Sequence, residues 1–453
     1  MKKKWLAVLL VISLLGSMLS ACGKEKESSN TVGDNTNAQT SPEVGDKGDK
    51  DLSGTLVFAI WDNLSLQLYE ELDLEGRFQK LYPNANIEVE KIKDDSEYWN
   101  TMKIRASANQ LPDIMYNKTF TLSRFQDYLV DVSNTEAAKN NLIAEGYKLN
   151  GKIVGLPEKM TREYVFYWKD MFAEAGVTVP TTWEEFETVS MKLQSYYGKD
   201  NKDFSAIGIG GKDEWPTYPF TEYMPALENG NGQNWNDMAK QDEPFSTGTD
   251  IYNAFQKINS LFQSGAFGKD PLGIGHDQAI SLFSQKQSAM IACGGWGLSV
   301  IKEGADSTDE LGTFFLPTRN TTSDTFYTIT QGDSFMSVTN SSKNQELALA
   351  FLEFYFSDAW YPDFIKAIAD DNTLKTVTKD KDPILAQADE LQPDAKLVMY
   401  DGGGDEFTTI QAETTFDYKK LGAQMLIKGF DLQSALDELN SRWIVARGKL
   451  EVK

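Results

Sequence analysis

The sequence predicts an α/β protein of two domains, from the order of its first elements, the length of its body and its aromatic content. Residues 55–60 (TLVFAI) form a short apolar run of strand character that ends at Trp61-Asp62-Asn63. Leu64, Leu68 and Leu72 then recur at helical spacing, and Phe78 and Leu81 carry that face to Tyr82-Pro83. Residues 87–92 are a second strand, about 97–108 a second helix, and 112–116 a short third strand. This β-α-β-α-β order gives a parallel sheet with right-handed crossovers, a doubly wound lobe. A body of roughly 400 residues suits two domains, with length alone leaving a third open, and 12% aromatic residues supply both a large core and a binding cleft.

The later elements follow the same logic. Residues 164–168 are a strand, followed by a short helix to Gly176. In Val179-Pro180-Thr181-Thr182-Trp183-Glu184-Glu185-Phe186, Thr182 is a helix N-cap and Glu185, three residues on, closes a capping box. Trp183 and Phe186 are therefore packing residues. Helices dominate to about residue 285, residues 288–292 are a strand leading to Gly294-Gly295-Trp296, and 326–338 are another strand. Leu347, Ala350, Phe351 and Phe354 give one helix an apolar face; Leu432, Ala435, Leu436, Leu439 and Trp443 do the same for the last. Trp99, Trp360 and Trp443 lie on such stripes and belong to the core.

The N-terminus reads as an export signal. Lys2, Lys3 and Lys4 precede a nearly unbroken apolar run over 5–15, too short to remain as a membrane span. Leu19-Ser20-Ala21-Cys22 resembles the lipobox of bacterial lipoproteins, which implies removal of residues 1–21 and acyl chains on Cys22. Two or three chains hold a protein durably at a membrane. Residues 23–51 are polar throughout and cannot bury enough surface to offset ordering, so 22–51 form a disordered tether. Its reach is on the order of 30 Å.

Composition removes several functions. Only Cys22 and Cys293 are present, so with Cys22 acylated no disulfide is expected. Cys293 reads as a small buried hydrophobe. The single histidine, His276, leaves little material for a zinc centre or a Ser–His–Asp triad; at a helix start, it reads as a capping or surface residue. The stretch from Gly208 to Asp213 fails as a phosphate loop, with Ala206 where glycine is required and Asp213 where Ser or Thr is required. Loss of the leader's three lysines takes the formal charge from −23 to −26. That excludes nucleic acid as a partner and favours a neutral ligand. No metal or cofactor is expected, and the Asp-rich turn 200–203 gives calcium no specific support. A glycosidase needs two carboxylates about 5–10 Å apart; 67 acidic residues meet that by chance and offer no positive mark.

An ordered series of short motifs carries a resemblance. It comprises the opening strand ending in Trp61, Phe78-Gln79-Lys80-Leu81-Tyr82-Pro83-Asn84, Leu111-Pro112-Asp113-Ile114 and Gly151-Lys152-Ile153-Val154-Gly155-Leu156-Pro157. It continues with Phe166-Tyr167-Trp168-Lys169-Asp170, Ala175-Gly176-Val177, the Pro180–Phe186 helix start, and Ala289-Met290-Ile291 before Gly294-Gly295-Trp296. The series resembles the family 1 extracellular solute-binding proteins of carbohydrate ABC importers, which are maltose-binding-protein-like. The likeness covers essentially the whole mature chain. Trp168 departs from the asparagine usual before Lys-Asp, and Asn117 from a stacking tryptophan after the third strand; these leave the sugar open.

The resemblance implies a type II periplasmic-binding-protein-like fold, with two α/β lobes, a hinge and a ligand cleft between them. One lobe is expected from 52–160 plus about 318–360, the other from 161–317 plus about 361–453. It implies capture of an oligosaccharide by hinge closure and delivery to ABC transporter permease subunits, by a monomer lipid-anchored on the extracytoplasmic face, without catalysis. The alternatives are another small neutral ligand, a sensor role, or a secreted glycosidase.

Sugar rings present an apolar face and a fringe of hydroxyls, matched by aromatic plates, carboxylates and amides. Trp61, Asp62 and Asn63 stand at a strand's carboxyl end, where such sheets bind ligands. Gly295 lets backbone approach, and Trp296 matches the family's sugar-stacking tryptophan. Glu214, Trp215 and Tyr218 occupy the place of a ligand loop. Asn117 and Lys118 follow the third strand; Arg162, at the first crossover, serves ligand or pairs with Glu163. Gln331 and Asp333 at another crossing, and Asp401 before three glycines, complete the candidates.

Overall fold

The computed structural model describes residues 51–92 and 95–450; the leader, Cys22 and nearly all of the tether lie outside them. Nine strands join in one curled sheet. They are β1 (Ser53–Ile60), β2 (Asn84–Lys91), β3 (Ile114–Asn117), β4 (Leu156–Trp168), β5 (Ser205–Gly208), β6 (Ser288–Gly294), β7 (Leu311–Phe314), β8 (Tyr327–Val338) and β9 (Lys396–Met399). The main order is β2-β1-β3-β8-β4-β6-β5, with β7 on β4 and β9 on β8.

The opening β-α-β-α-β unit forms as expected, with β2 and β3 flanking β1 in parallel. Phe58, Ala59 and Ile60 of β1 are fully buried, as a central strand covered on both faces requires. The expected single helix over 64–81 is two, Asn63–Glu71 and Leu74–Gln79. Asp73 between them turns left-handed at φ 58°, and its carboxylate accepts from the Gly76 N–H to start the second. Aspartate tolerates that backbone region and caps well, so it breaks a continuous apolar stripe. Thr182 caps the helix Trp183–Tyr197 through the Glu185 N–H. Glu185 reaches back one residue further than expected, accepting from Thr181 N at 2.7 Å and Thr181 Oγ1 at 2.8 Å.

Two hydrophobic cores divide the body. The first gathers Leu56, Phe58, Phe78, Met115, Leu156, Phe335, Phe351 and Trp360; the second gathers Phe166, Trp168, Trp235, Phe255, Ile329, Phe407 and Trp443. β4 and β8 pass between them. The first half of β4 pairs antiparallel with β8, from Leu156↔Met336 to Arg162↔Thr330. Its second half leaves β8 and pairs with β6 and β7. A third connection runs from Ile368 at the edge of the first core, past Leu374, to Leu385 in the second.

The cores shift the expected division. Phe326 and Ile329 pack in the second core, whereas Tyr361, Phe364, Ile368 and Leu374 pack in the first. The piece returning to the first core thus runs from about Phe335 to Leu374 rather than over 318–360. The crossing falls inside β8, at the polar run Gln331-Gly332-Asp333-Ser334 between Ile329 of the second core and Phe335 of the first. β4 also begins earlier than expected, at Leu156. Glu158, Lys159, Arg162 and Glu163 hide its first half in the sequence, because Glu158 pairs with Lys159, Arg162 with Asp371 and Asp389, and Glu163 accepts from Tyr218 instead of facing water.

Candidate functional site

Tryptophan exposure marks the site. Among the described residues, Trp99, Trp168, Trp183, Trp235, Trp360 and Trp443 are all buried, none more than 8% exposed. Trp61, Trp215 and Trp296 alone are half-buried. Trp61 belongs to the edge of the first core, Trp215 and Trp296 to the edge of the second. Burying an indole is strongly favourable, so a partly uncovered one at a core's edge is available as a contact surface.

On the first core, Trp61 is held by Tyr98, Trp99 and Tyr116, with ring centroids 5.2, 5.3 and 5.1 Å away. Lys118 Nζ lies 5.4 Å from the Trp61 ring centre and 3.9 Å from Asp333 Oδ1, linking that indole to β8. Asp62 caps the following helix through Oδ1, 2.6 Å from Ser65 N, while its buried Oδ2 has no protein partner. Asn63 is exposed. Asn117 is fully buried: its amide donates to Ser337 Oγ and accepts from Thr121 Oγ1. That side chain is a strut between β3 and β8.

On the second core, Trp215 and Trp296 flank His276. Ring centroids are 4.3 Å from Trp215 to His276, 5.5 Å from His276 to Trp296, and 6.2 Å between the indoles. His276 opens the helix His276–Ser284, with Gly275 as the N-cap, and its N–H donates to Asp213 Oδ2 at 2.6 Å. It is therefore part of an aromatic wall, not a cap or a free surface group. Burial lowers its pKa to about 4 despite nearby Asp277 and Asp213, so the ring is neutral at ordinary pH. Glu214, exposed, holds the left-handed φ of 59° just before Trp215. Such strain in a non-glycine residue costs of order 1–3 kcal/mol and collects at functional loops.

Tyr218 lies beneath this wall. Its phenol donates to Glu163 Oε2 at 2.9 Å and accepts from Gly294 N at 3.0 Å. Burial pushes both the Glu163 carboxyl and the Tyr218 phenol well above their ordinary ranges. Gly294 must be glycine, because a Cβ there would come within 2.3 Å of Trp296 Nε1. Gly295 donates to the Arg162 carbonyl at 2.9 Å, which ties the Trp296 turn to β4. Arg162 itself pairs with Asp371 at 3.2 Å and Asp389 at 3.1 Å, not with Glu163. Gln331 donates to Tyr223 Oη at 2.6 Å. Asp401 accepts from Asn236 Nδ2 and Gly403 N, both at 2.9 Å, and shapes a glycine turn.

Between the two aromatic groups lies a charged crossing that sequence reasoning missed. Glu158 and Lys159 of β4 and Asp370 of the third connection are all buried. Lys159 Nζ stands 3.8 Å from Glu158 Oε1 and 3.9 Å from Asp370 Oδ2. Glu158 also accepts from the Tyr116 and Tyr355 phenols and from Tyr69 at 3.3 Å. Burial raises Glu158 and Asp370 to about 7 each, opposed by the Lys159 charge. Burial works against the Lys159 ammonium, but Glu158 and Asp370 outweigh it and raise its pKa. No motif or periodicity marks Asp370, though the charged residues 158, 159, 162 and 163 between apolar runs were a legible hint.

Two cavities of the second core, about 10 Å³ beside Glu163 and Tyr223 and about 390 Å³ beside Phe172, Val179 and Leu391, contain no nominated residue. Cys293 is buried and its thiol raised by burial, as expected of a small core residue. Among the described residues no group of acidic, histidine or cysteine side chains could hold a metal ion.

Residues 76–394 match the profile described as bacterial extracellular solute-binding protein. The chain belongs to that family. The family places it on the extracytoplasmic side and makes solute binding its business. This solute-binding protein is 22% identical over 411 residues to the multiple sugar-binding protein of Streptococcus mutans serotype c, covering 88% of each chain. It shares its fold with apo RafE of Streptococcus pneumoniae, at TM-score 0.66 and 20% identity, covering 88% of this chain and 99% of that one. It also resembles a mannobiose-bound binding protein of an ABC transporter from Bifidobacterium animalis subsp. lactis. That match has TM-score 0.72 and 19% identity, with 88% and 96% coverage. Those solved folds are mixed α/β, with two domains on a curled sheet, and this chain shares that fold.

Proposed function

We propose that this protein captures a neutral oligosaccharide between its two halves and delivers it to the permease subunits of an ABC importer. The observation that carries the reading is the exposure of the tryptophans: the three indoles left half-buried divide between the two cores, Trp61 on one and Trp215 with Trp296 on the other. A sugar ring stacked on each side brings the halves together, and closure is favoured by as much as the ligand prefers the closed form. The neutral His276 adds a third ring to the larger wall without adding charge. The relatives' own ligands, raffinose and manno-oligosaccharides, support a sugar of two or more rings.

In this reading Trp61, Trp215, His276 and Trp296 stack on the sugar. Asp62, Lys118 and Asp333 meet its hydroxyls, while Tyr218, Gly295, Arg162 and Gln331 shape the wall and crossing behind. The protein acts as a monomer held at the membrane by acylated Cys22 and its tether, and the sugar leaves unaltered. Titrating tryptophan fluorescence with raffinose, stachyose and mannotriose, followed by assay of each mixture for released monosaccharide, tests this. A saturable change with intact sugar is expected; turnover, or silence toward every neutral glycan, overturns it.

A further inference from the structure

The charged crossing contains polar atoms that the protein leaves unmatched. Asp370 is 3% exposed, yet neither carboxylate oxygen has a protein group within hydrogen-bonding distance. Its nearest cation is Lys159 Nζ, at 3.9 Å from Oδ2. That separation holds the charges together electrostatically but is about 1 Å too long for a direct hydrogen bond. Lys159 stands at a similar 3.8 Å from Glu158 Oε1, and that oxygen is also unpartnered. A buried carboxylate without donors is costly, and structures keep such groups where something else supplies the hydrogen bonds.

Position says what supplies them. A Cβ on Gly295 would lie 3.3 Å from Asp370 Oδ1, so the carboxylate packs against the turn that presents Trp296. Lys159 is paired in register with Asp333 on β8, the residue that draws Lys118 over Trp61. Asp370 and Lys159 therefore sit between the two aromatic groups, one on the third connection and one on β4. Their unmet needs are complementary: the ionised Asp370 offers only acceptors and Lys159 only donors. Two neighbouring hydroxyls on one sugar ring satisfy both, one donating to the carboxylate and one accepting from the ammonium.

We infer that Asp370 and Lys159 form a ligand-recognising pair for a vicinal diol, through which the bound sugar ties the third connection to β4. This rests on the sugar reading and deepens it: the ring at the crossing carries two adjacent, unsubstituted hydroxyls. The pair fastens the halves at the hinge while the indoles grip from either side. Burial raises Asp370 to about 7, in keeping with a carboxylate that lacks its donors.

The test is calorimetric titration of wild type, Asp370→Asn, Lys159→Gln and the double variant with raffinose, stachyose and mannotriose. Each single change is expected to weaken binding about 10- to 100-fold, the worth of a charge-assisted hydrogen bond. The double variant is expected to lose little more, because one diol bridges both groups. Wild-type affinity in Asp370→Asn, or fully multiplicative losses in the double variant, overturns the pair while leaving the sugar reading intact. Wild type that binds none of the three glycans strikes at the sugar reading itself. If Asp370→Asn does not fold, Lys159→Gln alone decides, with unchanged affinity again fatal to the inference.

Discussion

The rings of Trp215 and His276 lie 4.3 Å apart at an interplanar angle of 49°, joining the chain's single histidine to an indole that the second core leaves half-covered. One neighbour covers part of each ring and leaves the rest open, which keeps a buried-type residue rigid at a surface. Trp296 completes the wall from the turn after β6, where Gly294 makes room for its indole.

Trp296→Ala is expected to weaken sugar binding at least tenfold with little loss of stability, since the indole is only partly covered. Trp443→Ala should do the reverse: that ring is fully buried, and its removal costs about 3–5 kcal/mol. Denaturant melts beside fluorescence titrations on both variants check this. Equal behaviour of the two would remove the distinction between wall and core.

His276 should titrate near pH 4, and as the chain's one imidazole it gives a single resonance to follow by NMR. The sign for stability follows directly. Above about 6.5 the ring is neutral folded and unfolded; below that the unfolded chain takes up a proton that the folded one refuses. Stability contributed by His276 is thus present above about 6.5 and lost as pH falls toward 4. His276→Asn should flatten that part of the profile, and an NMR midpoint near 6.5 would contradict the burial argument.

Glu158 and Asp370 act in the opposite sense. Burial raises both to about 7, so between the ordinary carboxylate range and pH 7 the folded protein holds protons that the unfolded chain has released. Their contribution is complete below that range and is lost as pH rises through 7. Thermal melts of Glu158→Gln should show a shallower fall between pH 5 and 7.5 than wild type does. A steeper fall would mean that the Lys159 charge, not burial, governs the carboxylates.

Cys293 should resist thiol reagents in the folded protein and react only on unfolding, because it is buried with its pKa raised. Rapid labelling of native protein would show that β6 opens locally.

Much of this was legible along the chain. The α/β order, the capped helix at Thr182, the buried Trp99, Trp360 and Trp443, and Trp61 at a strand end all follow from local pattern, whereas Trp215 and Trp296 were singled out through the family resemblance. Short-range rules suffice there, because apolar periodicity, cap chemistry and a ring's place at a strand or turn end are set by neighbours within a few residues. Candidates resting on chain position alone fared differently. Asn117 stands next to Lys118, yet it is a buried strut on Ser337, some 220 positions away.

What only the tertiary structure decided concerns partners far apart in sequence. The opening sequence cannot show that β4 serves two cores, that Arg162 answers Asp371 and Asp389, or that Asp370 comes within 3.9 Å of Lys159. It likewise hides that His276 enters an aromatic wall. A charge or an imidazole carries no periodicity that names its partner. Its burial, its pKa and so its use are fixed by whichever groups the long crossings bring alongside.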